Sequence, residues 1–201
     1  KQFAETGRRD LTLIGSYDQE LIRLSVFLAH RRAELMKEMG TVLQEYYEEI
    51  SLGREKVEVI YETEALREDF EAYFLSLRQK DLATKNSNAG IHKDDFEFRI
   101  GDYPLRKIGS QGQQKSFIIA LKLAQFQIFE QAKGEKPLLL LDDIFDKLDD
   151  DRIAKLMDLV SKGTFGQIFL TDARPERSRG ILGKLDTEVF FFEVERGELK
   201  K

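Results

Sequence analysis

Two carboxylates stand side by side at Asp142 and Asp143, directly after four consecutive leucines, Leu138 to Leu141, that follow Pro137. A short apolar run bounded by a proline and a charge pair predicts a fully buried strand, parallel in its sheet. Carboxylates at the C-terminal end of such a strand lie where ligands bind in open α/β sheets. The plainer alternative is a strand ending in a solvated acidic turn. A second apolar run, Gln167-Ile168-Phe169-Leu170, also ends in a carboxylate, Asp172, after Thr171. If the two strands are neighbours, Asp142, Asp143 and Asp172 share one crevice. A magnesium–nucleotide site needs one carboxylate for the hydrated metal and another group to position the attacking water. Asp142 suits the first role and Asp143 the second.

Ahead of the leucine run comes Gly109-Ser110-Gln111-Gly112-Gln113-Gln114-Lys115, which leads straight into a segment rich in Phe117, Ile118, Leu121, Leu123, Phe126 and Phe129. The segment reads as a largely buried helix ended by Gly134. Small residues before it permit close backbone approach, and the unpaired N–H groups of a helix start favour an anion. An ordinary Ser/Gly cap explains the same residues. Arg174, Arg177 and Arg179 form a basic loop after Asp172, and Arg31 and Arg32 lie together far upstream. Each group is a candidate for phosphate contact or simply solvated surface.

These residues need elements to hold them. Over 17–51, Leu21, Leu24, Leu28, Leu35, Met39, Val42, Tyr46 and Ile50 recur at helical spacings, with Gly40 as a bend or packing contact and Gly53 as the stop. Lys56 to Thr63 alternates as a strand, and Glu64 to Lys80 returns to helix. The loop Asn86-Ser87-Asn88-Ala89-Gly90 divides a helical arm, 1–85, from an α/β part, 86–201. In the second part Phe96, Phe98 and Ile100 pair through Gly101-Asp102 with a strand from Tyr103 to Ile108, and a last strand covers Glu188 to Arg196. His92-Lys93-Asp94-Asp95 stands at the hairpin's entrance.

Composition narrows the classes. The 201 residues are 41% hydrophobic and 34% charged, with a net charge of −5 and no cysteine. Thiolate metal sites and disulfides are excluded, a reducing compartment fits, and no apolar run approaches a membrane span. With only His30 and His92 present, a histidine-rich metal centre is not expected. The negative balance argues against a sequence-reading DNA binder but leaves room for a local basic patch. Because the chain opens on Lys1, it is expected to be a piece of a longer protein.

Taken together, Ser110-Gln111-Gly112-Gln113 resembles the signature motif of ABC-type ATPases, Leu138–Asp143 their Walker B strand, and Asp146-Lys147-Leu148-Asp149 their D-loop. More narrowly, the chain resembles the bacterial RecF family, through the runs at 92–95, 109–115, 138–149 and 167–172. The resemblance implies the C-terminal part of an SMC-like, P-loop ABC-type ATPase head, a sheet with flanking helices, preceded by a helical arm. It implies ATP and Mg²⁺ as cofactors and an ATP-dependent homodimer. Ser110, Gly112 and Gln113, with Gln111 between them, would meet the γ-phosphate held by the opposite subunit. Asp142 would assist the metal, Asp143 orient the water, and Asp149 reach across the interface. The implied role is cytoplasmic: ATP-gated binding at single-/double-strand DNA junctions or gaps, with RecR and RecO partners, to help load RecA.

The chain departs from the pattern in three ways. Asp143 stands where many ABC ATPases carry Glu, and Asp172 where many carry a switch histidine. No G-x-x-x-x-G-K-[ST] loop occurs, so phosphate binding is expected to come from an upstream part, and this piece alone to hydrolyse essentially nothing. Two other readings compete. A metal-dependent nuclease or phosphotransferase would use Asp142, Asp143 and Asp172 for two metals about 4 Å apart. A non-enzymatic scaffold would tolerate loss of the carboxylate pair.

Overall fold

The computed structural model describes residues 11–143, 145, 148–163 and 165–200. Arg8, Arg9, Ile144, Asp146 and Lys147 therefore lie outside the described residues. The chain packs as two compact units: the residues up to Val42 with Val57–Lys107, and Leu43–Lys56 with Ile108–Lys201.

Helix α1, Leu11–Ser51, contributes to both units. It contains no proline, so nothing removes a rung of its hydrogen-bond ladder. Gly40 is not required by close packing: the helix runs through it, and a Cβ there would meet nothing within 4 Å. The buried face of its first half differs from the expected leucine stripe. Ile22, Val26 and Ala29 pack with Ala65, Phe70, Phe74 and Ala89, whereas Leu21, Leu24, Leu28 and Leu35 are exposed. The leucine spacing fits a helix face, but the packed face is the neighbouring one, on which the small Ala29 is fully buried. The helix stops where Leu52 and Gly53 take φ of +62° and +68°, and Gly53 N–H returns to the Glu48 carbonyl at 2.8 Å.

In the first unit, strands β1 (Val57–Glu62), β2 (Asp95–Ile100) and β3 (Tyr103–Pro104) form an antiparallel sheet with Val57 opposite Ile100 and Arg99 opposite Pro104. The strand expected to Ile108 ends early, and Leu105–Ile108 is a helical turn, α4. The helix expected over Glu64 to Lys80 is split into α2 (Phe70–Ser76) and α3 (Arg78–Thr84). Before α2, Arg67 pairs with Glu64 and Asp69 and lies 4.5 Å over the Tyr73 ring, which holds the segment as a turn.

Asp94 organises this unit. Its carboxylate, 3% exposed, accepts from Arg32 Nη1 at 2.8 Å, from Thr63 Oγ1 at 2.7 Å and from the Tyr61 hydroxyl. Arg32 also donates to the Ile91 carbonyl at 3.0 Å. The pairing joins α1 to the end of β1 and the start of β2, across the Asn86 loop.

In the second unit, α5 (Gln111–Lys133) precedes β4 (Leu139–Leu141), α6 (Asp150–Ser161), β5 (Ile168–Leu170) and α7 (Pro175–Leu182). Strands β4 and β5 are parallel and adjacent, Leu139 opposite Ile168 and Leu141 opposite Leu170. The expected full burial holds on one face only: Leu139 and Leu141 are buried, but Leu140 is 72% and Phe169 49% exposed. Likewise Ile118 and Phe129 of α5 are exposed while Phe117, Ala120, Leu123 and Ala124 are buried. The strand expected over Glu188 to Arg196 reduces to β6 (Val194–Glu195) paired with β7 (Glu198–Leu199), and Phe190 to Phe192 stay exposed. No helix among the described residues is long and apolar enough to cross a membrane.

Removing one partner of a buried, hydrogen-bonded ion pair leaves the other uncompensated. Asp94→Ala is therefore expected to destabilise the intact protein by about 2–3 kcal/mol, and Tyr61→Phe by about 1 kcal/mol. Urea denaturation measures both.

Candidate functional site

The leucine run ends in Asp142 and Asp143 beside the end of β5, because the two strands pair in parallel and finish together. The ladder extends one residue further: Thr171 N–H donates to the Leu141 carbonyl at 2.9 Å. The Thr171 hydroxyl then serves both carboxylate residues. It donates to Asp142 Oδ1 and accepts from the Asp143 N–H at 3.1 Å. Asp143 adopts φ of +45°, a left-handed conformation uncommon for a residue with a Cβ. Its carbonyl accepts from Lys115 Nζ at 3.2 Å. Both carboxylate residues are exposed.

Lys115 is the fifth residue of α5, at the start of its second turn, so this bond ties the acidic strand end to the beginning of that helix. Ser110 is the N-cap, and the cap is a reciprocal box: Ser110 Oγ accepts from Gln113 N–H at 3.2 Å, and Gln113 Oε1 accepts from Ser110 N–H at 2.7 Å. Gln114 Nε2 holds the Gly109 carbonyl at 2.8 Å. Ser110 and Gln111 are exposed. The box satisfies the third helical N–H and leaves those of Gln111 and Gly112, which have no intrahelical acceptor, at the open end. The ordinary cap and an anion-facing helix start thus coexist in one geometry.

Asp149 caps α6, accepting from Arg152 N–H at 2.9 Å, and its carboxylate remains half-exposed. Arg177 runs back from α7 to the same segment. It donates to the Phe145 carbonyl at 2.9 Å and pairs with Asp150 at 3.0 Å. Arg177 is thus engaged in shaping the turn before α6. Arg179 pairs with Glu193 at 2.7 Å and lies 5.7 Å from the Phe191 ring centroid, and Arg174 is the N-cap of α7. Arg31 pairs with Glu34, and Arg32 with Asp94, in the other unit.

Asp172 is hydrogen-bonded to the start of α7. Its Oδ2 accepts from Ser178 Oγ at 2.5 Å, and its buried Oδ1 makes no hydrogen bond among the described residues. The crevice therefore joins Asp142 and Asp143 through Thr171, and the side chain of Asp172 serves the start of α7. Among the described residues no group of three His, Asp or Glu is placed to hold a metal. The two-metal nuclease reading, which required Asp172 beside the pair, lacks that geometry. Thr171 and Lys115 are the contributors that motif reasoning left without a role; a hydroxyl directly before the acidic strand end was the available signal.

Arg177→Ala removes a charged donor from two backbone carbonyls and a carboxylate. The expected result is faster amide exchange across 145–151, with a loss of about 1–2 kcal/mol in local stability. Hydrogen-exchange mass spectrometry reads both against the unchanged β1–β2 amides.

No family model matches the chain. Curated relatives do. The chain is 44% identical over 202 residues to the DNA replication and repair protein RecF of Cytophaga hutchinsonii, covering 100% of this chain and 53% of the relative. It is 40% identical over 182 residues to RecF of Flavobacterium johnsoniae, covering 90% of this chain and 51% of the relative. A solved structure of the recombination mediator RecF with ATP superposes with a TM-score of 0.74 at 25% identity, covering 99% of this chain and 52% of that one. An SMC ATPase solved in a study of ATP-driven dimerisation shares the fold, with a TM-score of 0.52 at 15% identity over 86% of each chain. The chain spans about half the length of the curated relatives it matches. With motifs, parallel strand pair and whole-chain similarity in agreement, it has the α/β fold of an ABC-type ATPase head and is homologous along its whole length to about half of each of the RecF proteins it matches.

Proposed function

We propose that this chain is the signature-bearing, C-terminal half of an ATPase head, and that the intact protein is an ATP-gated DNA-binding recombination mediator of the RecF type. The observation that carries the reading is the Lys115–Asp143 bond, which holds a capped, anion-facing helix start and an exposed carboxylate pair in one unit. Neither element contains a phosphate-cradling glycine–lysine loop, so the nucleotide comes from elsewhere in the intact dimer. Ser110, Gly112 and Gln113 meet the γ-phosphate bound by the opposite subunit, with Gln111 at the same open end.

The residues present fit a hydrated Mg²⁺: the Asp142 carboxylate is exposed, and one of its oxygens is oriented by Thr171. When bound, the ion neutralises charge on the transferring phosphate. Asp143 orients the water, its backbone set by Thr171 and Lys115. Asp149, half-exposed at the start of α6, faces the second subunit. Asp172 holds α7 through Ser178 at the position where related heads place their switch residue.

DNA at single-/double-strand junctions is the macromolecular ligand, with RecR- and RecO-type mediators and RecA as partners in a cytoplasmic repair assembly. Arg174, Arg179 and Arg31 are the candidate phosphate contacts. Arg32 and Arg177 act first on Asp94 and on the turn before α6. The open face at Leu140 and Phe169 is covered, in the intact head, by the half that the relatives carry in addition.

The test is Asp143→Asn in the full-length protein. Light scattering with ATP is expected to find a persistent dimer, with hydrolysis reduced by about a hundredfold or more, the scale of losing a group that activates water. A monomer with normal turnover contradicts the proposal.

A further inference from the structure

Two side chains from the end of α1 and the loop after it reach the signature helix, and no motif includes them. Glu55 Oε1 accepts from Gln113 Nε2 at 2.6 Å, and Glu55 Oε2 accepts from the Tyr47 hydroxyl at 2.8 Å. Gln113 gives its other amide atom, Oε1, to the Ser110 N–H. Tyr47 is fully buried, with its ring 6.4 Å from that of Phe117 on α5. Burial first, and then the Glu55 carboxylate, push the Tyr47 phenol well above its ordinary range, so it stays protonated and donates.

The direction of each bond is decisive. A glutamine amide presents a donor on one side and an acceptor on the other, and a half-turn exchanges them. An ionised carboxylate only accepts. Glu55 therefore demands the NH₂ side of Gln113, which turns the carbonyl side toward the Ser110 N–H. Reversed, Gln113 would face that N–H with its own donor, and the capping box would open.

We infer that Glu55 is a positioning residue for the signature loop: its acceptor-only carboxylate, anchored by Tyr47, fixes the orientation of Gln113 and through it Ser110. The inference rests on the reading that Ser110 and Gln113 meet nucleotide held by the opposite subunit. Glu55 itself touches no phosphate. It acts on how readily the ATP-bound subunits associate, leaving each subunit's own ATP binding unchanged.

Glu55→Gln, close to isosteric, is the variant of choice in the full-length protein. With Tyr47 donating to its carbonyl, the new amide turns its NH₂ toward Gln113 and favours the reversed orientation. The ATP concentration for half-maximal dimerisation is expected to rise about tenfold, the scale of one hydrogen bond to a charged group. ATP affinity of the monomer should not change. Adding Tyr47→Phe removes the competing donor and lets the introduced amide turn its carbonyl to Gln113. The double variant is therefore expected to recover most of the dimerisation while its thermal midpoint falls further, a split that a purely structural role does not produce. Ser110→Arg serves as the reference. If Ser110→Arg blocks dimerisation and Glu55→Gln leaves it unchanged, the inference is overturned and the in-trans reading stands. If Glu55→Gln weakens dimerisation and Tyr47→Phe brings no recovery, Glu55 is structural and the inference is again overturned. If Ser110→Arg has no effect, the in-trans reading falls, and the inference with it.

Discussion

The hydroxyl of Thr171 is the contact on which the site depends. Parallel pairing of β4 and β5 aligns Leu141 with Leu170, but pairing alone says nothing about the residues beyond the strand ends. By accepting from one carboxylate residue's N–H and donating to the other's side chain, Thr171 turns a loose acidic end into a fixed pair. The left-handed backbone at Asp143 needs such support, since an unsupported residue with a Cβ would leave it. Once Asp143 is fixed, its carbonyl is available to Lys115, and the start of α5 is bound to the strand end. Arg177 holds the following turn in the same way.

The arrangement is one-sided. Donors gather at the open start of α5 and acceptors at the end of β4, as expected of surfaces that meet complementary groups on another body. The β4–β5 pair has the same character, since parallel strands are ordinarily covered on both faces, and here Leu140 and Phe169 face outward. Both features agree with a chain that spans about half the length of its relatives.

Much of this was legible in residue order. The leucine run, its carboxylates and the second strand were visible because a buried parallel strand leaves an unmistakable apolar block, and the Ser/Gly start of α5 reads as a helix cap, though its reciprocal bond with Gln113 appears only in the structure. What remained hidden depends on partners distant in sequence. Asp172 and Thr171 are adjacent, and only strand register decides which of them reaches Asp142. The leucines at 21, 24, 28 and 35 mark a helix, yet the packed face is the neighbouring one at 22, 26 and 29. Phe190 to Phe192 have strand propensity without a strand to pair with, and propensity alone does not make a sheet. Asp94 reads as part of a charged run and is instead a buried junction of three donors.

In the proposed mechanism the signature loop of one subunit completes the acidic site of another. Mixing two full-length variants, Ser110→Ala and Asp143→Asn, tests it most directly. Each alone is expected to lose ATP hydrolysis. In a mixed dimer, one site combines an intact Asp143 with an intact Ser110 from the partner. Hydrolysis is therefore expected to return on mixing, toward one functional site per mixed dimer. Hydrolysis that stays at the level of the separate variants, with mixed dimers demonstrably formed, would contradict it.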